Sequence, residues 1–317
     1  MLEAPRHTTE KLTVREKHFF VNGKEISSLE ITPEKIKDPI PVLIVPGYRA
    51  TKKVLRPEVE ALAKRGRHVI SFDHPRQGGK VSRLPGEELQ KWYQDRGQDS
   101  PKWPEVEMIK AQTLLDLLDY KKIDKVDVVA HSEAAINVSI AAMLHPEKFI
   151  GRTIVLYSPA GLIGKDSVSR LATGVVSHPK RPASLSHVPI TETEIKNREV
   201  ERGESKKYLW ANPVRALREG LAVANIRIDD MLRYLHEKGV RIIVVQGVED
   251  TFFPMDKMQK VVRSRGEEDG FVDGFLSVRG GHVQIQSHPE LYMGAVESML
   301  DQKKREDKPS ENIKNNI

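Results

Sequence analysis

Hydrophobic residues along this chain follow two periods. Short runs rich in β-branched residues, Pro41 to Val45, Arg67 to Phe72, Lys125 to Ala130, Arg152 to Tyr157, Val240 to Val245 and Gly274 to Val278, read as strands. Other segments carry a helical spacing instead: Val106, Ile109, Thr113, Leu114 and Leu117 in one, Ile228, Met231, Leu232 and Leu235 in a second. A third begins at Pro289, a residue tolerated in a first helical turn, and puts Tyr292, Ala295, Val296 and Met299 on one face. Upstream, His18 to Val21 and Glu25 to Thr32 flank Asn22-Gly23, a pair that takes the positive φ angles of a tight turn, and so predict an antiparallel hairpin. A hairpin followed by alternating strands and helices predicts an α/β fold, with a mostly parallel sheet of about eight strands flanked by helices.

Two stretches interrupt this alternation. The longer, 161–225, scatters Pro, Gly and charge and reads as an inserted cap, with 1–160 and 226–303 forming the core domain around it. The shorter, from Arg76 to Pro104, contains Gly78-Gly79, Pro85-Gly86 and the aromatic pair Trp92-Tyr93, and is a candidate for the rim of a site. The last residues, 304–317, are polar and charged and read as a disordered tail.

Composition narrows the function classes. The chain has 317 residues, 38% of them hydrophobic and 30% charged, enough apolar material for one large core. Its net charge of +6 comes from 51 basic and 45 acidic residues interspersed along the sequence, so no basic tract points to nucleic acid. The absence of cysteine removes disulfides, thiolate nucleophiles and Cys-ligated metals. No stretch approaches the roughly 18 apolar residues of a membrane span, and the start lacks the apolar segment of a signal peptide, which makes the cytoplasm the expected location. A phosphate-binding G-x-x-x-x-G-K-[ST] loop is absent, and His131 with Glu133 lacks the H-E-x-x-H spacing of a zinc site, so neither cofactor nor metal is expected.

The strongest chemical signal is Val128-Val129-Ala130-His131-Ser132-Glu133-Ala134-Ala135, a strand that ends on a serine and passes at once into a helical pattern. On such a turn the hydroxyl stands above the sheet, with the helix N-terminus and the next backbone N–H beneath a developing oxyanion. Ala130 and Ala134 occupy the two positions filled by glycine in G-x-S-x-G, and alanine is small enough to serve where strand and helix approach closely. A serine at a strand-to-helix junction is also an ordinary helix cap, so the pentapeptide alone leaves both readings open.

Over residues 15 to 300 the chain resembles the α/β-hydrolase family, in its serine esterase and lipase branch. The resemblance implies an acid after a late strand, where Asp250 follows Val240 to Val245, and a histidine after the last strand, where His282 follows Gly274 to Val278. Glu249 is the rival acid, Asp256 and Asp273 weaker ones, and His74 and His288 the other histidines near strand or helix ends. Pro46-Gly47-Tyr48 resembles the family's His-Gly-X turn, which makes the Tyr48 and Glu133 amides the expected oxyanion donors. The implied activity is hydrolysis of a carboxylic ester, a small-molecule acyl substrate, through an acyl-enzyme on Ser132. Lactone opening and carbon–carbon bond hydrolysis use the same three residues, and a noncatalytic ligand-binding protein of the same fold is the alternative of another class. Glu133 departs from the neutral residue common in the family, and is expected either to be solvated or to act on His282 or the substrate. Arg49, Lys52, Lys53 and Arg56 form either a solvated basic face or an attractor for an anionic substrate.

Overall fold

A computed structural model describes residues 11–75, 86–96, 103–163, 171, 182–263 and 270–306. Asn22 and Gly23, at φ of 50° and 72°, form the expected tight turn. They join β1 (Leu12–Val21) to β2 (Lys24–Pro33) in antiparallel register. Six further strands follow: β3 (Asp38–Val45), β4 (Arg67–Asp73), β5 (Asp127–His131), β6 (Thr153–Tyr157), β7 (Arg241–Gly247) and β8 (Gly274–Val278). The sheet order is β1-β2-β4-β3-β5-β6-β7-β8, and every pairing from β4 onward is parallel.

Alternation along the parallel strands supplies two apolar faces, as a sheet covered on both sides requires. Leu43, Ile70, Val128, Ile154 and Val244 point into one core, and Val42, Val69, Val129, Val155 and Ile243 into the other. The first core is closed by α3 (Glu105–Tyr120), α4 (Ala134–Leu144) and α7 (Asp229–Glu237), and by α2 (Gly86–Gln94) through Leu89. The second is closed by α1 (Lys52–Ala63) and α10 (Pro289–Glu306). Two helices of the expected cap, α5 (Glu192–Ala211) and α6 (Pro213–Asn225), follow β6; α8 (Met255–Arg263) and the short α9 (Gln284–Ser287) flank β8. Most of 164–181 in the cap, and residues 76–85 and 97–102 of the shorter irregular stretch, lie outside the described residues, as does 307–317 of the expected tail. No helix among the described residues is long and apolar enough to cross a membrane.

This topology builds a crevice. Strand β3 pairs with β4 on one side and β5 on the other, so the chain leaves the carboxyl ends of β3 and β5 in opposite directions. Register aligns those ends in a row: Val45 beside Ala130, His131 beside Tyr157, Tyr157 beside Val245, and Gly247 beside Val278. Tyr48, Ser132, Glu133, Asp250 and His282 each lie one to four positions past one of these strand ends.

Candidate active site

Ser132 follows directly on β5 with φ of 57°, a left-handed conformation that a side chain adopts only under constraint. The constraint is visible in its backbone: the Ser132 N–H donates to the Tyr157 carbonyl at 3.0 Å, and its own carbonyl accepts from Ala160 at 3.1 Å. The turn thus reverses the chain from strand to helix within Ser132 and Glu133 and leaves the hydroxyl pointing off the sheet. Ala130 and Ala134, fully buried on either side, confirm that a methyl fits where the motif usually has glycine. The loop after β3 is less tolerant. A Cβ on Gly47 would overlap the carbonyl oxygen of His131, so only glycine allows this loop to lie against the serine turn.

Ser132 Oγ lies 2.9 Å from His282 Nε2, and His282 Nδ1 lies 2.9 Å from Asp250 Oδ2. Asp250 is held from three further sides. Its Oδ1 accepts the Phe252 and Phe253 N–H groups at 2.8 and 2.9 Å, and its Oδ2 accepts Gln246 Nε2 at 3.2 Å. Burial opposes ionisation of this carboxyl, but His282 and the Phe253 amide outweigh it and keep the pKa below its ordinary value. An ionised Asp250 has only acceptor oxygens, so His282 carries its proton on Nδ1 and presents Nε2 as the acceptor for the Ser132 hydroxyl. Behind the ring, the His131 imidazole donates from Nε2 to the His282 carbonyl at 2.8 Å. Burial pushes the His131 pKa down to about 3, so that ring stays neutral and adds no charge beside His282.

The comparisons with known proteins agree with this topology. No family model matches the sequence, and no curated protein does. Solved structures do match. A serine hydrolase involved in carbazole degradation shares 20% identity, with 92% of this chain and 100% of that one covered at a TM-score of 0.58. An esterase from Thermogutta terrifontis shares 18% identity, with 92% and 99% covered and a TM-score of 0.57. The enol-lactonase from Burkholderia xenovorans LB400 shares 13%, with 90% and 100% covered and a TM-score of 0.58. The chain has the α/β-hydrolase fold.

In this hydrolase fold the serine turn opens into a cavity of about 280 Å³ whose wall includes Ser132, His282 and Tyr48. Its apolar side is made by Leu217, Leu221 and Val223 of α6 together with Phe252 and Phe253. Helix α6 is drawn over the site by the Tyr48 hydroxyl, which donates to the Ala216 carbonyl at 3.0 Å. Among the described residues no acceptor takes the Tyr48 or the Glu133 backbone N–H.

Three of the rival residues are engaged elsewhere. Glu249 accepts the Ser184 N–H at 2.6 Å, Asp273 accepts the Ile242 N–H at 2.7 Å, and His288 pairs with Glu194 at 3.3 Å. His74 packs edge-on against Phe72. Three of the four basic residues after β3 are also paired: Lys52 and Arg56 with Glu16, and Lys53 with Glu204. Arg49 alone of the four lines the cavity. Trp92 and Tyr93 pack with Tyr234 and Trp103 and do not line it. Glu133 departs from the expectation of a solvated side chain. It is fully buried, and the Lys110 ammonium donates to it at 2.6 Å. The sequence reading missed Lys110, His131 and Gln246. The only local signal for Lys110 was a lysine on the apolar stripe of α3, between Ile109 and Ala111.

Proposed function

We propose that this protein is a serine hydrolase that cleaves carboxylic esters through an acyl-enzyme on Ser132. The observation that carries the reading is the unbroken hydrogen-bond chain from Ser132 through His282 to an ionised Asp250, at the floor of a largely apolar cavity. Serine is a weak nucleophile until its proton is removed, and His282 Nε2 is within transfer distance of it. As Ser132 Oγ bonds to the acyl carbon, its proton moves to His282, and the carbonyl π pair moves onto oxygen. That oxyanion is met by the Tyr48 and Glu133 amides. Collapse expels the alcohol, which takes the proton from His282, and leaves the acyl-enzyme. A water then gives its proton to His282 and attacks the same carbon, and the second collapse releases the acid and returns the proton to Ser132. Lactones follow the same steps with the leaving alcohol still tethered.

The test is reaction of the folded protein with a fluorophosphonate, alongside turnover of a panel of acyl esters and lactones. Stoichiometric labelling on Ser132, lost together with turnover in Ser132→Ala, is the expected result. A folded wild-type protein that is neither labelled nor active would make the fold a ligand-binding scaffold instead.

A further inference from the structure

Beneath the serine turn lies a cluster of ionisable side chains that the reaction above does not use. Lys110, on α3, donates to Glu133 at 2.6 Å and also pairs with Glu219 of α6 at 2.9 Å. Glu219 in turn pairs with Arg215 at 3.0 Å and accepts the Tyr208 hydroxyl, from α5, at 2.7 Å. Lys110, Glu133 and Glu219 are all buried. A sixth ionisable group, Glu107, lies against Glu133 one helical turn before Lys110. Burial raises the pKa of both carboxyls, and Glu107 the further because the negative charge of Glu133 faces it. Lys110 and Arg215 bring two cations to this group of carboxyls and offset the charge that burial disfavours.

Glu133 is the residue whose amide is the proposed oxyanion donor, and α6 is the helix that roofs the cavity with Leu217 and Leu221. One ammonium therefore holds both. We propose that Lys110 is a positioning residue for the reaction at Ser132: by bridging Glu133 to Glu219 it fixes the oxyanion amide and the cavity roof as one body, so that oxyanion stabilisation depends on a seated roof. This inference rests on the acyl-enzyme reading of the site. It accounts for the acidic residue beside the serine, which reaches neither His282 nor the cavity and is instead the core end of a strut to the cap.

The physical consequence is a coupling between sites that ordinary substrate contacts would not produce. A roof that only contacts substrate affects acyl chains long enough to touch it. A roof tied to the Glu133 amide affects every substrate, because displacing an oxyanion donor by about 1 Å costs on the order of 100-fold in rate.

Kinetics of Lys110→Met and Glu219→Gln on 4-nitrophenyl acetate and 4-nitrophenyl octanoate test it, acetate offering the apolar roof no more than a methyl group. Lys110→Met is expected to lower kcat about 100-fold on both esters and to slow fluorophosphonate labelling in parallel. Glu219→Gln, which touches only the cap end, is expected to lower kcat for acetate about 10-fold with KM little changed. If Lys110→Met does not fold, Glu219→Gln decides alone. An unchanged kcat for acetate in folded Glu219→Gln, with only the octanoate KM raised, would overturn the coupling. Failure of the underlying reading looks different: the wild-type protein itself would resist the fluorophosphonate.

Discussion

Two helices bracket the serine turn and are held in opposite ways. Helix α4, which starts two residues after Ser132, buries ten of its eleven residues, nearly all apolar, between the sheet and α3. Helix α5, twenty residues long and part of the cover, buries only Glu194 and Glu204. The first is fixed by removal of apolar surface from water, worth about 25 cal/mol per Å², and has no alternative position. The second is fixed by polar contacts: Glu194 to His288, Glu204 to Lys53, Asn197 to the Gln286 carbonyl, and Tyr208 to Glu219. Its outer side instead carries Ile195 and Trp210 in solvent. Apolar packing holds the serine turn and its neighbours to a single geometry, whereas the cover is attached by directional contacts that salt and single substitutions weaken. A rigid floor and a polar-tethered roof suit the proposed reaction, in which Ser132 must hold its position and a substrate must enter.

Breaking the floor gives the largest effects. Asp250→Asn removes the acceptor that sets the His282 tautomer, and kcat on a short acyl ester is expected to fall by roughly 10⁴-fold. Glu249→Gln, one residue away, is expected to stay within about twofold of wild type under the same assay, since among the described residues its carboxylate accepts from Ser184 and not from His282. Next comes Gly47→Ala. The added methyl meets the His131 carbonyl, shifts the Tyr48 amide, and is expected to cost about 100- to 1,000-fold in kcat while the far-UV circular dichroism is unchanged.

The third prediction contrasts buried carboxylates in the two regions. Glu58 of α1 is buried with neither carboxylate oxygen hydrogen-bonded among the described residues, and burial raises its pKa to about 8 from the usual 4.5. The folded state therefore holds this proton more tightly than the unfolded chain. Its contribution is fully favourable below pH 4.5 and is lost progressively as pH rises to about 8. Glu58→Gln, which cannot ionise, should match wild type in urea unfolding near pH 4 and exceed it by about 3 kcal/mol at pH 7. A constant difference across that range would mean that Glu58 is ionised in the folded protein. His131 has the opposite sign: its folded pKa is depressed to about 3, so its share of stability is complete above 6.5 and is lost as pH falls through that window. The smallest effect belongs to the roof tether. Glu204→Gln breaks pairs with Lys53 and Lys207, whose own side chains are largely exposed, and should cost less than about 1 kcal/mol globally. Its trace is local, as faster amide exchange across α5 that rises further with salt while the β5 and β6 amides stay protected.

How far the sequence reaches can be judged residue by residue. The strand runs and the Asn22-Gly23 turn were legible because period and turn chemistry are local properties of the backbone, and the eight-stranded sheet follows from them. Ser132, Asp250 and His282 were legible for a related reason. Each sits just past a readable strand, and a parallel sheet gathers its strand ends at one edge whatever the intervening residues are. Gly47 was legible as a turn residue, but not as the point where two loops touch.

Glu133 marks the limit. In sequence it is an acidic residue beside a serine, with nothing nearby to neutralise it, and a solvated side chain is the natural expectation. Its partner Lys110 looked like one lysine among many, and Glu219 lay in the segment with the weakest pattern. Which carboxylate meets which ammonium depends on how α3, the serine turn and α6 cross in space. Burial makes that choice consequential, because a charge removed from water must find its counter-charge or be neutralised by a proton. The sequence by itself determined the sheet, its order of elements and the residues at its carboxyl edge. Only the tertiary structure decided which of the remaining charges are buried together, since that is set by packing between distant segments rather than by any period along one of them.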